Sequence, residues 1–254
     1  KRMSLFEELI EGKKKDKQIV KSFETKETLS DQIFEEQKKG HFVMREDIRK
    51  KLLEISDDFV ESFGVDFFIH DVVLTGSLAN YNWSEYSDVD LHIIIDFEES
   101  KYEMELLKEF FDAKKNVWNE KHNIKIKGFD VEVYVQDISE DHISSGVYSI
   151  LHGKWVIEPK KEEPNIDDRK ILEKGEEYGK KIDKLVSNGV KKDTMTHIEG
   201  LRKKIKEFRQ SGLETGGEYS YENLTFKLLR RNGYIQKLLR LKTTLTDKKL
   251  SVAQ

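Results

Sequence analysis

Two aspartates separated by one residue carry the clearest chemical signal in this sequence. Asp88 and Asp90 come directly before the β-branched run of residues 93–95. Side chains alternate between the two faces of a strand, so both carboxylates are expected to point the same way. Two adjacent carboxylates repel each other unless a cation lies between them. Because the sequence has no cysteine, these hard oxygen ligands favour Mg²⁺ or Mn²⁺ over zinc.

A glycine–serine pair lies upstream of the aspartates. Gly76 and Ser77 follow the apolar run of residues 72–74, where a strand is expected to enter a tight turn with a short helix. Glycine lets the backbone approach a ligand closely, and the amides of a turn that opens a helix bind anions. A metal site beside a phosphate-binding turn is the machinery of phosphoryl transfer. Each motif alone is also common in solvated turns.

Together, the two motifs resemble the signature of the DNA polymerase β-like nucleotidyltransferase superfamily. The Gly-Ser pair follows one expected strand. After a gap of nine residues, Ser-Asp-Val-Asp comes just before the next expected strand. The resemblance covers roughly residues 70–137, and the overall layout is similar to uncharacterised nucleotidyltransferases of large tailed phages. It implies a nucleoside triphosphate substrate, two metal ions (Mg²⁺ or Mn²⁺), release of pyrophosphate and a third acidic residue on a later strand.

The third carboxylate is expected within the alternating segment of residues 124–136. Asp130 and Glu132 share one face there with Tyr134. Glu132 lies between valines at a mid-strand position, whereas Asp130 directly follows the Gly-Phe pair and lies closer to the turn. Glu132 is therefore the preferred third ligand, and Asp130 is the alternative. The resemblance thus gives a set of catalytic, metal-binding and nucleotide-binding residues: Asp88, Asp90, Glu132 or Asp130, Gly76 and Ser77.

Three other residues have both a functional and a structural interpretation. His92 shares the face of the two aspartates and could bind a metal or act as a base, but packing is the favoured role. Tyr148 and Trp155 could stack on a nucleotide base. Aromatic residues in an apolar segment more often belong to a core, and that interpretation is favoured for both.

Composition sets the protein class and its compartment. The chain has 254 residues, of which 37% are hydrophobic and 37% charged, enough for one large or two modest globular domains. The absence of cysteine excludes disulfides and thiolate chemistry and is natural in a reducing compartment. Because no apolar run approaches membrane-spanning length, we expect a cytoplasmic protein without a membrane partner.

Charge is distributed unevenly along the chain. Residues 169–254 contain 21 Lys+Arg and 11 Asp+Glu, a net charge of +10, whereas the remainder contains 24 and 38, a net charge of −14. A basic C-terminal part suggests contact with a polyanion such as RNA or tRNA. The alternative is a lysine-rich helical surface that is merely solvated. The candidate contacts are Arg202, Lys203, Lys204, Lys206, Arg209, Arg230 and Arg231.

The elements that position these residues predict an α/β (α+β) fold, a nucleotidyltransferase-type mixed sheet flanked by helices. Both prolines lie near residues 159–164 and mark the best domain boundary. We predict an N-terminal helical segment over residues 1–45, a catalytic domain over 46–163 and a helical C-terminal domain over 164–254. Within the last, the glycine-rich residues 211–223 are predicted to be a loop, followed by one final helix over 222–241.

Three functions from different classes follow. The first is metal-dependent transfer of a nucleoside monophosphate from an NTP to an acceptor hydroxyl on an RNA end, a protein or a small molecule, with RNA favoured by the basic C-terminal part. The second is synthesis of a cyclic or oligomeric nucleotide on the same fold. The third is a catalytically inactive, antitoxin-like binding module, against which the intact Gly-Ser and Asp-x-Asp motifs argue.

Overall fold

The chain forms two compact units. One unit consists of Thr25–Glu163 and is called the α/β unit below; the other joins Lys1–Glu24 to Pro164–Gln254 and is called the helical unit. The computed structural model describes four stretches of the chain: residues 5–100, 102–142, 144–188 and 193–252.

A six-stranded sheet lies at the centre of the α/β unit, with the strand order β5-β6-β4-β3-β7-β8. Strands β4 and β6 run parallel, and the other neighbours in the sheet are antiparallel. The mixed sheet confirms the predicted fold class. The strands in chain order are β3 (Ile69–Thr75), β4 (Val89–Ile95), β5 (Lys125–Ile126), β6 (Phe129–Asp137), β7 (Val147–Ser149) and β8 (Lys154–Ile157).

Two amphipathic helices pack on one face of this sheet. Helix α2 spans Glu46–Glu61, and helix α3 spans Met104–Lys121 and makes the crossover that a parallel β4–β6 pair requires. In the first part of β4, Val89, Leu91 and Ile93 face the helices, and the polar residues Asp90 and His92 between them face the other way. The residues of the shared core include Leu52, Phe59, Leu74, Leu91, Ile93, Phe111 and Val133.

The N-terminal segment is only partly helical. Helix α1 spans Leu5–Lys21 as expected, but β1 (Phe34–Lys38) and β2 (His41–Met44) form an antiparallel hairpin, so the helical prediction is wrong for these residues. The hairpin is hard to read from sequence because only Phe34 of β1 is buried and the other four residues are exposed. It belongs to the α/β unit, where Phe34 stacks on Trp155 with ring centroids 5.1 Å apart.

The same contacts show why the aromatic residues of β7 and β8 are structural. Tyr148 is 1% exposed and lies edge-on to Phe34 at 5.5 Å. Its hydroxyl accepts a hydrogen bond from the Met44 amide, and the Trp155 indole donates one to the Phe42 carbonyl. Both rings therefore attach the hairpin to the sheet, which agrees with the favoured core interpretation.

The helical unit has a separate apolar core, which includes Tyr178, Ile182, Ile198, Leu201, Ile205, Leu229, Leu238 and Leu245. Nowhere in the described part of the chain is there a helix long and apolar enough to cross a bilayer. With α1, the helices of this unit are α4 (Asp168–Ser187), α5 (Thr194–Gly216), α6 (Tyr221–Arg231) and α7 (Tyr234–Leu250).

Two predictions about the helical unit are wrong. The glycine-rich residues 211–223 are mostly helical, because α5 continues to Gly216 and a short 3₁₀ turn leads directly into α6. Gly212 fits within α5 because a Cβ there would lie 2.5 Å from the Cβ of Glu222, so the glycine allows the two helices to approach. The second wrong prediction is the single final helix, which is in fact two helices. Gly233, with a φ of +78°, separates α6 from α7.

Candidate active site

The polar face of the sheet, opposite α2 and α3, brings the predicted carboxylates together. Asp90 lies in β4 directly opposite Glu132 of the parallel strand β6, and opposite Thr75 of β3 on the other side. Asp88 immediately precedes β4, two residues from Asp90. Both aspartates are partly buried. The register therefore places carboxylates from two strands that are distant in sequence in one row across the sheet.

The Gly-Ser turn lies against this row. Gly76 has a φ of +72°, a conformation that favours glycine, and a Cβ added there would come within 1.9 Å of Asp90 Oδ2. Ser77 then opens a 3₁₀ turn that continues to Ala79. The backbone of the turn and the Asp90 carboxylate are thus in direct contact, which no larger residue at position 76 would allow.

Serine hydroxyls surround the turn. Ser77 Oγ donates to Ser87 Oγ at 2.8 Å, which in turn accepts from the Ser84 amide at 2.9 Å. The Gly76 amide donates to Ser144 Oγ at 3.3 Å. Ser144 is a residue of the site that the sequence did not indicate, because it is far from both motifs; the Ser-Ser-Gly turn just before β7 is the only local signal.

Tyr134 orients the Glu132 carboxylate. The Tyr134 hydroxyl donates a short hydrogen bond to Glu132 Oε2. Burial, followed by this hydrogen bond and the negative charges of Glu132, Asp90 and Asp88, raises the pKa of Tyr134 well above its ordinary value. The phenol therefore stays a neutral donor at physiological pH. All three carboxylates thus lie close enough to the Tyr134 hydroxyl to raise its pKa.

His92 packs beneath this group. Its ring stacks on Tyr134 with centroids 4.9 Å apart, and its Nδ1 lies 3.0 Å from Gln136 Oε1. Burial lowers the pKa of His92 to about 4, the hydrogen bond to Gln136 raising it and the charges of His142 and Lys115 lowering it further. The imidazole is thus neutral at pH 7 and supports Tyr134, in keeping with the favoured packing role.

Asp130, the alternative third carboxylate, has a different environment. It is exposed, and it pairs with Lys125 across the β5–β6 hairpin in a close ion pair. A carboxylate that already has a lysine partner is less available to a metal ion than one facing Asp90. The register and the ion pair thus favour Glu132, and the assignment stays a prediction.

The donor set fits a hard divalent cation. Asp88, Asp90 and Glu132 offer only carboxylate oxygens, the ligands that Mg²⁺ and Mn²⁺ prefer. A second cluster lies at the other end of β3 and β4, where ligand atoms of His70, Asp96 and Glu99 come within 4.8 Å of one another. Divalent metals are typical of nucleotidyltransferases with this fold.

The predicted polyanion contacts divide into two groups. On the outer surface of α5, Arg202 pairs with Glu199 at 3.3 Å and Lys203 with Glu207 at 3.7 Å, while Lys204 and Lys206 are exposed. The other three are Arg209, near the end of α5, and Arg230 and Arg231, on α6. Their charges lower the pKa of Lys227, which also lies on α6.

Comparison with known proteins agrees with this geometry. Residues 52–152, which contain all of the predicted catalytic residues, match the model of the nucleotidyltransferase domain family. The chain therefore carries a nucleotidyltransferase domain, and the protein is a nucleotidyltransferase enzyme. This finding favours an enzyme over the inactive binding module.

One solved structure matches the chain at low similarity. It is the STING-associated CdnE c-di-GMP synthase from Capnocytophaga granulosa, with 13% identity and a TM-score of 0.22 over 81% of this chain and 84% of that chain. Backbone agreement this low decides nothing about the substrate or product. A search of curated proteins found no match.

Proposed function

We propose that the protein transfers a nucleoside monophosphate from an NTP to an acceptor hydroxyl, with RNA as the acceptor. The observation that carries the proposal is the position of Asp90, which faces Glu132 across β4 and β6 and contacts Gly76. Carboxylates from two strands beside a glycine turn are what phosphoryl transfer needs, because positioning and charge neutralisation supply most of its catalysis.

Each residue has a defined role in the proposed reaction. The backbone amides at Gly76 and Ser77 hold phosphate oxygens of the triphosphate tail. The Glu132 carboxylate, oriented by Tyr134, assists removal of the proton from the acceptor hydroxyl. The acceptor oxygen then forms a bond to the α-phosphorus, the bond from that phosphorus to the bridging oxygen breaks, and pyrophosphate leaves.

Asp88, Asp90 and Glu132 would hold two divalent cations, Mg²⁺ or Mn²⁺. Bound there, such ions neutralise phosphate charge and lower the pKa of a coordinated hydroxyl. The Gly76 amide is satisfied by Ser144 Oγ in the free protein. A phosphate oxygen would have to take the place of this hydroxyl, so we expect Ser144 to shift when the NTP binds.

RNA is the proposed acceptor because of the charge of the C-terminal part. The net charge of +10 over residues 169–254 would attract a polyanion and does not help a small neutral acceptor. We also propose, from the sequence alone, that the protein is similar to phage nucleotidyltransferases and that it is cytoplasmic.

Incubation with each α-labelled NTP, with Mg²⁺ or Mn²⁺ and with or without bulk tRNA, tests the reaction and the acceptor together. Label that enters tRNA, together with pyrophosphate release, supports the proposal. Label recovered in a cyclic or oligomeric nucleotide without tRNA would instead identify the synthase. No pyrophosphate from any NTP would contradict nucleotidyl transfer itself.

A further inference from the structure

Four cationic side chains of the helical unit lie close together on α5 and α6. Lys227, Arg230 and Arg231 lie at i, i+3 and i+4 on α6, so they share one face of the helix. Arg209 reaches the same region from α5, with its guanidinium 4.4 Å from the centre of the Phe226 ring. Four cationic side chains from two helices therefore converge on one place.

Two of these arginines are held in fixed positions. Arg209 Nε donates to Asn223 Oδ1 at 3.1 Å, and Asn223, itself 2% exposed, donates to the Glu218 carbonyl at 2.7 Å. Arg231 donates to Ser22 Oγ at 2.9 Å, and its guanidinium lies 5.0 Å from the Phe23 ring. Solvated surface arginines are not normally fixed by a buried amide or an aromatic face, so this arrangement is pre-organised.

Lys227 lies at the centre of the group and is partly buried. Within the stretches that the structure describes, its ammonium forms no hydrogen bond or ion pair. Burial lowers the pKa of Lys227 to about 8; Glu218 opposes this, while the charges of Arg231, Arg230 and Arg209 lower it further. The partly buried, protonated Lys227 lies among three arginine charges, which costs the free protein stability at neutral pH, and a bound anion would offset this cost.

We propose that Lys227, Arg209, Arg230 and Arg231 form a binding site for a phosphate group. Arginine pairs match phosphate oxygens with two parallel hydrogen bonds, and the lysine adds a point charge. The phosphate can belong to a free oligophosphate or to an RNA backbone, and both present the same chemistry. Arg202, Lys203, Lys204 and Lys206 are not part of this site. Binding of an RNA backbone at this site rests on the proposed function, whereas binding of a free oligophosphate does not.

The test uses the full chain without divalent metal, so that no turnover contributes. Binding of tripolyphosphate and of a short single-stranded RNA is measured by calorimetry for the wild type and for Lys227→Met, which keeps the apolar stem. We expect tripolyphosphate to bind at least about tenfold more weakly to this variant, since a buried charge-assisted hydrogen bond is lost. Lys249→Met, which removes an exposed lysine at the end of α7, is the matched control and should bind as wild type does.

Melting temperature separates a binding role from a structural one. Below pH 8 the wild type carries the full cost of the protonated Lys227, so the melting temperature of Lys227→Met should rise in the absence of ligand. Lys227→Arg should retain binding because it keeps the charge. Competition between tripolyphosphate and RNA shows whether both occupy this site. Unchanged binding in Lys227→Met, a lower melting temperature of that variant or no binding to the wild type would overturn the proposal.

Discussion

Asp88 and Asp90 are predicted to be essential for chemistry and dispensable for folding. Replacing either by alanine removes a ligand for the cations and also removes repulsion between neighbouring carboxylates. We therefore expect nucleotide transfer to be lost while the melting temperature stays the same or rises. Turnover and thermal unfolding should be measured on the same preparations, with the exposed Asp66→Ala as a control. Normal turnover in either variant would refute the assignment.

The two candidates for the third carboxylate can be separated by isosteric variants. Glu132→Gln and Asp130→Asn remove one charge each and nearly keep the shape. Because Glu132 faces Asp90 and Asp130 pairs with Lys125, only Glu132→Gln should be severely impaired. The expected loss in kcat is on the order of a hundredfold, as for other groups that stabilise a transition state. Small and equal losses in both variants would mean that the third ligand lies elsewhere.

Gly76 permits a test with a closely matched control. In Gly76→Ala the new methyl group would lie 1.9 Å from Asp90 Oδ2, so the carboxylate or the turn must move and transfer should be lost. Gly40 has a similar φ of +79° but nothing within 4 Å of its missing Cβ. Gly40→Ala should therefore cost about 1–2 kcal/mol of stability and leave the specific activity of the folded protein unchanged. Equal activity in both variants would show that the contact with Asp90 is unimportant.

The attachment of the β1–β2 hairpin should be measurable as stability. Trp155→Ala removes the stacking on Phe34 and the hydrogen bond to Phe42, and we expect a loss of about 3 kcal/mol in the free energy of unfolding. Val156 is the neighbouring residue on β8 and is 51% exposed, so Val156→Ala should stay within about 0.5 kcal/mol. Urea unfolding of both variants makes the comparison. A similar effect in both would contradict the structural role of Trp155.

The elements that could be predicted are those with a strong local pattern. The alternation of β6 depends on nearby residues, and the fold class follows from the order of the predicted elements. The opposition of Asp90 and Glu132 depends on a parallel register between distant strands, which no local pattern encodes. The hairpin and the α5–α6 junction were mispredicted because tertiary contacts of Phe34 and Gly212 override local preference.

At the level of the whole protein, the contrast in charge predicts a salt-dependent interaction. If the basic C-terminal part binds RNA through phosphates, affinity should fall steeply as salt rises, because bound counterions are released. Charge reversal at Lys203 and Lys204 should flatten this dependence and weaken binding to every RNA sequence alike. Transfer to a small acceptor should barely change, because the carboxylates lie in the α/β unit. Filter binding at several salt concentrations measures the effect.

The absence of RNA binding at low salt would remove the nucleic-acid hypothesis. Unchanged binding after the reversal at Lys203 and Lys204 would show that RNA does not contact the outer surface of α5. Neither would affect the predicted carboxylate chemistry, which is tested by turnover and not by affinity.

The parallel pairing of β4 with β6 links assembly of the site to the order in which the ribosome makes the chain. Strands β3 and β4 can pair once residue 95 has been synthesised, but β6 is complete only at residue 137, after the whole of α3. During this interval one edge of β4 has no partner. An unpaired apolar edge is a template for pairing with other chains. Between the synthesis of Ile95 and that of Asp137, the nascent protein is therefore expected to be able to aggregate through this edge of β4.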